Sequence, residues 1–435
     1  MSVEADDHQE QKLRQLMTER AAAFGGSDTS PYLDDVATEL RRVADWLCDE
    51  QTDEGLWPEN KVNLRFYSDA YAVRTLLAAA HLFDEKTYLD AACAWLRTMV
   101  KTQRADGGWW VGYGIGDHDW QDEDVDQSVV YVADAGEVSL ALVDAFHFLS
   151  ANDATRELAE EVKGALVNFR RFTEHFRLRS GAMGLGYTRR DFYAGHITRT
   201  FMQGHHRTYP FATAATGVNF YAGLFTVTAN AEDWERAMQS LDWCLEHMGS
   251  ASMDQGARAV ESNDFRDVIA LHRVGDWVFD CSTSPRDEAP AETSGTPEPR
   301  YASSERQKLY AVWKYMMHLV VDLQSDLGEW PVMRGGEPAV LYDGSMRHRL
   351  YFLYSLTSYL ANGSPVSGED DRIALARDRQ LWLCADRRIL NEHYGVCLSG
   401  AHVMTSGLWG MTLAEMLEPG ITLPRGIRRL TRRSG

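Results

Sequence analysis

The sequence predicts an all-α fold: a closed ring of helical hairpins, the (α/α)6 barrel or toroid. Three observations predict it. The form Gln, three residues, Gly, one residue, Trp occurs at Gln51–Trp57, Gln103–Trp109 and Gln324–Trp330, each copy straight after an amphipathic helical pattern. Segments apolar nearly all round alternate with more polar partners, about six pairs in all, as the inner and outer layers of a helical ring require. Strand-like alternation is almost absent. An open right-handed solenoid is the alternative; the degenerate copies and the uneven insertions favour the closed ring.

Residues 1–30 read as a polar, flexible arm with room for one helix. From Asp34 to Cys48 the apolar residues Val36, Leu40, Val43, Ala44 and Leu47 keep the 3.6-residue period of a helix with one buried stripe. Pro58 ends the turn that follows. Tyr67 to Phe83 has the all-round apolar character of an inner helix, with Ser68 or Asp69 as candidate caps, and Tyr88 to Val100 is its outer partner. Val129 to Leu149, interrupted by Gly136, pairs with Thr155 to Phe172. Leu178 to Tyr187 is a Gly-rich turn carrying a degenerate motif that ends in Gly181-Ala182-Met183. Phe211 to Ala229 is a tightly packed inner helix with Trp234 to Met248 outside it, and Asp264 to Val278 is a short helix.

Residues 280–300, rich in Ser, Thr, Pro and acids, form a flexible insertion, either a surface loop or a mobile lid. Lys308 to Leu323 leads into the third motif; Tyr351 to Leu360 and Ile373 to Leu383 are inner-like and outer-like. Asn391 to Cys397 keeps the motif's Gly but has Cys for Trp, and Gly400 to Leu417 supplies the last helix. One domain thus spans 31–420, followed by a basic tail at 421–435.

A net charge of −20 argues against nucleic acid or an anionic membrane as partner. The N-terminus has no apolar run of a signal peptide, and no stretch is long and apolar enough to span a bilayer. Six Cys without metal spacing read as reduced thiols in a cytoplasmic protein. No cofactor and no metal is expected. The expected partner is a small-molecule or oligosaccharide substrate.

The repeated turns resemble the QW motifs of terpene cyclases and the related turns of protein prenyltransferases. They are also similar to the turns of (α/α)6-barrel glycoside hydrolases, epimerases and polysaccharide lyases. The resemblance implies the fold over roughly three-quarters of the chain and leaves the chemistry to residues at the barrel mouth. Asp69 and Asp134, at the starts of two inner helices, with Glu137 downstream, resemble the arrangement of unsaturated glucuronyl hydrolases. There an Asp protonates the double bond of a lyase-generated uronic acid and activates water. That resemblance implies Asp134 as acid/base with Asp69 in support; helix capping is the competing role for Asp69.

Two loops add candidates. Residues 117–126 carry six carboxylates, among them Asp122, Asp124 and Asp126, and offer either a site for a divalent cation, an acid/base group with supporting carboxylates, or a solvated acidic loop. We take Asp124 as a supporting catalytic carboxylate. Residues 195–209 form a locally basic patch in which His206 and Arg207 would hold a substrate carboxylate and Tyr209 would assist. Trp57, Trp109, Trp110 and Trp330 either pack the turns or stack on sugar rings.

The expected activity is cleavage of an acidic, uronic-acid-containing oligosaccharide by hydrolysis or elimination. Terpenoid cyclisation is the second reading, although the Asp-x-Asp-Asp of alkene-protonating cyclases is missing. A helical-repeat binding protein is the third.

Overall fold

A computed structural model of the chain describes residues 3–24, 35–57, 66–109, 129–151, 153–184, 186–188, 212–248, 317–318, 320–322, 324–328, 330, 332–334, 337–339, 343–363, 371–393 and 403–422. The described helices are α1 (Val3–Ala22), α2 (Val36–Asp49), α3 (Phe66–Phe83), α4 (Lys86–Thr102), α5 (Val132–Leu149) and α6 (Arg156–Glu174). Thr213–Phe220 is wound as a π-helix and runs directly into α7 (Tyr221–Thr228), which α8 (Ala231–Met248) follows. Then come α9 (Asp343–Ser358), α10 (Asp371–Ala385), α11 (Arg387–His393) and α12 (Val403–Leu417). Two antiparallel pairs of three-residue strands join β1 (Val129–Tyr131) to β2 (Gly186–Thr188) and β3 (Val332–Arg334) to β4 (Glu337–Ala339).

The helices form two layers of an (α/α)6 barrel. Among the described residues the inner layer runs α9, α12, α3, α5, α7 in spatial order. These helices are buried nearly all round, which is why α3 and α5 read as apolar on every face. Their register shows that they run parallel. Gly407 and Gly410 of α12 sit against Tyr71 and Thr75 of α3, and Thr216 and Gly223 sit against Gly136 and Val143 of α5. Gly136 has a packing reason: a Cβ there would lie 2.2 Å from Thr216 Oγ1. The described inner helices therefore begin at one end of the barrel.

The repeated turns are staples between neighbouring hairpins. Gln51 Nε2 donates to Gly55 O and to Ala91 O of α4, both at 3.0 Å. Gln103 Nε2 spans Gly107 O and Ala165 O of α6, and Gln324 Nε2 spans Gly328 O and Ala376 O of α10, all at 2.8 Å. The glycine takes a positive φ, +94° at Gly107, where its missing Cβ would stand 2.1 Å from Asn168 O. The indole closes the turn backwards: Trp57 Nε1 donates to Leu47 O at 2.7 Å, Trp109 Nε1 to Met99 O at 2.9 Å and Trp330 Nε1 to Val320 O at 2.7 Å. These carbonyls lie near the ends of helical segments, where intrahelical donors run out.

A fourth staple occupies the degenerate motif. Arg177, Gly181 and Met183 stand at the Gln, Gly and Trp positions, and Arg177 Nη2 reaches Arg236 O of α8 at 3.4 Å and Gln239 Oε1. Gly181 keeps the positive φ, +92°.

Several boundaries differ from the sequence expectation. The polar arm is a docked helix: Leu13 and Met17 are buried, the Arg20 guanidinium lies 3.4 Å from the Trp382 ring centroid, and Trp382 Nε1 donates to Arg20 O at 2.9 Å. At the other end Ile421 and Thr422 are buried and belong to the packed body. Val129–Tyr131 is a strand because it pairs with Gly186–Thr188. Arg387–His393 is helical where a turn was expected from Asn391. Residues 264–278 and 280–300 lie outside the described residues. One buried apolar cluster extends from Leu13 to Ile421.

Candidate functional site

Asp69 and Asp134 stand in the first turns of α3 and α5, inner helices that pack side by side. Since α3 is helical from Phe66, Asp69 follows the cap position instead of filling it. An acid in a first turn is still favoured by the positive end of the helix dipole. Asp69 is buried, Asp134 is half-buried, and Glu137 is buried one turn below Asp134. Three carboxylates thus stand on two adjacent helices at the end of the barrel where the described inner helices begin.

Below them the interior is polar and tightly bonded. The Tyr71 and Tyr351 hydroxyls, from α3 and α9, meet in a hydrogen bond, with their rings edge to face at 5.6 Å. Burial raises the pKa of the Tyr351 hydroxyl well above its ordinary value, so that group stays neutral. One turn further in, Arg74 Nε donates to Asp144 of α5 at 2.8 Å and Arg74 Nη2 to Thr422 O at 2.6 Å. Burial works against the Arg74 charge, but Asp144, Tyr354 and Glu137 outweigh it and hold the pKa above its ordinary value. Thr422 also bonds Tyr354 Oη at 2.8 Å, and its backbone N–H donates to Glu415 at 2.8 Å. The segment after α12 therefore folds back into the barrel as far as Arg74.

The interior residues Tyr71, Arg74, Glu415 and Asp144 were not among the candidates. Their signal was a polar side chain in an otherwise apolar inner helix, visible at Arg74 and Asp144 but with no hint of which helices would meet.

Trp57, Trp109 and Trp330 are packing groups. With 1–2% of their surface exposed they have no face to offer a sugar, so their expected substrate-binding role gives way to the staple. Trp110, Asp124, His206, Arg207 and Tyr209 lie outside the described residues, as do 117–126. Among the described residues no group of His, Cys, Asp and Glu could hold a metal ion. Cys48, Cys93, Cys244 and Cys384 are free thiols, and no described helix is long and apolar enough to cross a membrane.

No protein-family model matches the chain, and no curated protein matches its sequence. Solved structures do resemble its fold. A family 76 glycoside hydrolase from a bovine Bacteroides thetaiotaomicron strain matches with a TM-score of 0.54 at 9% identity, over 89% of this chain and 79% of that one. Cellobiose 2-epimerase from Bacillus thermoamylovorans matches with a TM-score of 0.51 at 10% identity, over 86% and 98%. An inactive variant of the alpha-1,6-mannanase GH76A of Salegentibacter sp., bound to alpha-1,6-mannotetrose, matches with a TM-score of 0.50 at 11% identity, over 88% and 98%. At such identities the likeness is one of fold, and that fold is the (α/α)6 barrel.

Proposed function

We propose that the chain is a carbohydrate-active enzyme working at the end of the barrel where the inner helices begin, with Asp134 as acid/base and Asp69 in support. The observation that carries this is that Asp69 and Asp134 stand on the first turns of adjacent parallel helices, at the end of the barrel where the described inner helices begin. Carboxylates so placed have the means to protonate a glycosidic oxygen or activate water. Of the similar folds, one is a glycoside hydrolase, one an epimerase of cellobiose and one a mannanase bound to an oligosaccharide. The substrate we favour is an acidic oligosaccharide held by His206 and Arg207, with Tyr209 and Asp124 assisting, cleaved by hydrolysis or elimination. Terpenoid cyclisation requires a deep apolar cavity, whereas these inner helices bury Arg74, Asp144 and the Tyr71–Tyr351 pair.

The test is to incubate the purified protein with unsaturated uronyl oligosaccharides, neutral gluco- and manno-oligosaccharides and polyprenyl diphosphates. Turnover of a sugar alone supports the reading; turnover of a polyprenyl substrate alone overturns it.

A further inference from the structure

The mouth-side half of one inner helix is irregular: Thr213–Phe220 is a π-helix eight residues long. Such windings are rare, form poorer ladders and occur mostly at functional sites. Near its end stands Asn219, 8% exposed. Its Oδ1 is buried and meets no hydrogen-bond donor among the described residues. A buried acceptor left unbonded costs folding stability, so native structures keep few of them. Ser355 Oγ is also buried and unbonded, but a hydroxyl on a helix can turn to a carbonyl of its own helix. An amide oxygen has no such recourse.

The direction of Asn219 follows from its neighbours. A Cβ on Gly217 would meet Ser240 of α8, in the outer layer, at 2.7 Å. Two residues on is roughly half a turn of either an α- or a π-helix, so Asn219 faces away from α8, into the barrel. Thr216 and Gly223 occupy the flank against α5, and Phe220 packs on Phe169 of α6 with ring centroids 4.8 Å apart. Ala215 and Ala222 share the inward stripe with Asn219 by helical spacing. The inward face is thus small and apolar around one amide.

We propose that Asn219 is a specificity residue of the barrel interior, whose side-chain oxygen accepts a hydrogen bond from a hydroxyl of the bound sugar. This rests on the carbohydrate reading above. The unpartnered Oδ1 is a neutral acceptor flanked by alanines and suits a sugar hydroxyl, which can donate; a carboxylate or phosphate oxygen brings only acceptors and has nothing to give this atom. The expected specificity is for a sugar bearing that hydroxyl over its deoxy analogue, since the analogue leaves the amide buried and unpaired.

The test is calorimetric titration of the full chain with α-1,6-mannotetraose, cellobiose and an unsaturated uronyl disaccharide, repeated for Asn219→Ala and Asn219→Ser. A sugar that binds the wild type should bind both variants about five- to tenfold more weakly, while the Tm of the free variants stays equal to wild type or rises. Equal affinity in wild type and both variants overturns the proposal, as does a lowered Tm in both, which would make Asn219 a structural group. Failure of the wild type to bind any of the three sugars overturns the carbohydrate reading as well, so the two failures are distinct.

Discussion

The indole Nε1 of Trp409 donates to the Glu39 carboxylate at 3.0 Å, joining an N-terminal outer helix to the last inner helix. Arg42 donates to the same carboxylate at 2.6 Å, and Arg387 donates to it through Nη1 and Nη2. Glu39 is therefore the clasp at which α2, α11 and α12 meet and the two ends of the chain are held together.

This clasp makes stability depend on acid. Burial pushes the Glu39 carboxyl upward, but the hydrogen bonds from Arg387, Arg42 and Trp409 together outweigh it and bring the pKa from an ordinary 4.5 to about 2. A depressed folded pKa contributes stability above the unfolded value that is lost as pH falls toward the folded one. Urea unfolding should show wild-type stability falling between about pH 4.5 and pH 2 and a flatter profile in Glu39→Gln. At neutral pH that variant should lose about 2 kcal/mol, less than a fully buried ion pair because both arginines are part-exposed. Parallel profiles would remove Glu39 from this role.

The staple is tested at Trp109. Trp109→Phe keeps most of the packing and loses the bond to Met99 O, so it should cost about 1–2 kcal/mol in denaturant unfolding. Trp109→Ala should cost about 3–5 kcal/mol. Sugar affinity per folded molecule should be unchanged by Trp109→Phe; a selective loss of affinity would restore the stacking role.

Arg177 is an imperfect substitute for the glutamine of the other turns. Its Nε is buried without a partner among the described residues, and burial, the leading cause, lowers its pKa even though Tyr221 and Glu174 favour its charge. A glutamine there has the geometry to reach Gly181 O and Arg236 O as Gln103 reaches Gly107 O and Ala165 O. Arg177→Gln should therefore be neutral or stabilising by up to about 1 kcal/mol in urea unfolding. A loss above about 2 kcal/mol would show that the Gln239 contact carries the turn.

What the sequence made legible was local. The three complete turns, and the periodicity of α2 through α6, are written within about twenty residues each, because caps, positive-φ glycines and helical stripes are short-range devices. The fourth turn survived only as Gly181, since Arg177 and Met183 keep its geometry without its letters. The Glu39 clasp was hidden: its partners Arg387 and Trp409 come 348 and 370 residues later, and no local pattern encodes that meeting. Polar α1 gave no stripe beyond Leu13 and Met17, so its docking through Arg20 and Trp382 was equally invisible. Asp69 and Asp134 were candidates because each lies at or near the start of an apolar inner helix, as in the unsaturated glucuronyl hydrolases they resemble. The π-winding of Thr213–Phe220 has no sequence signal of its own.

The pairing of Asp69 and Asp134 on adjacent inner helices is the centre of the account, and Asp134→Asn tests it most directly. On whichever sugar the wild type turns over, steady-state kinetics should show kcat reduced at least about a hundredfold, with the Tm unchanged because Asp134 is half-buried and the substitution preserves shape. Unchanged kcat in a correctly folded Asp134→Asn protein would contradict the account.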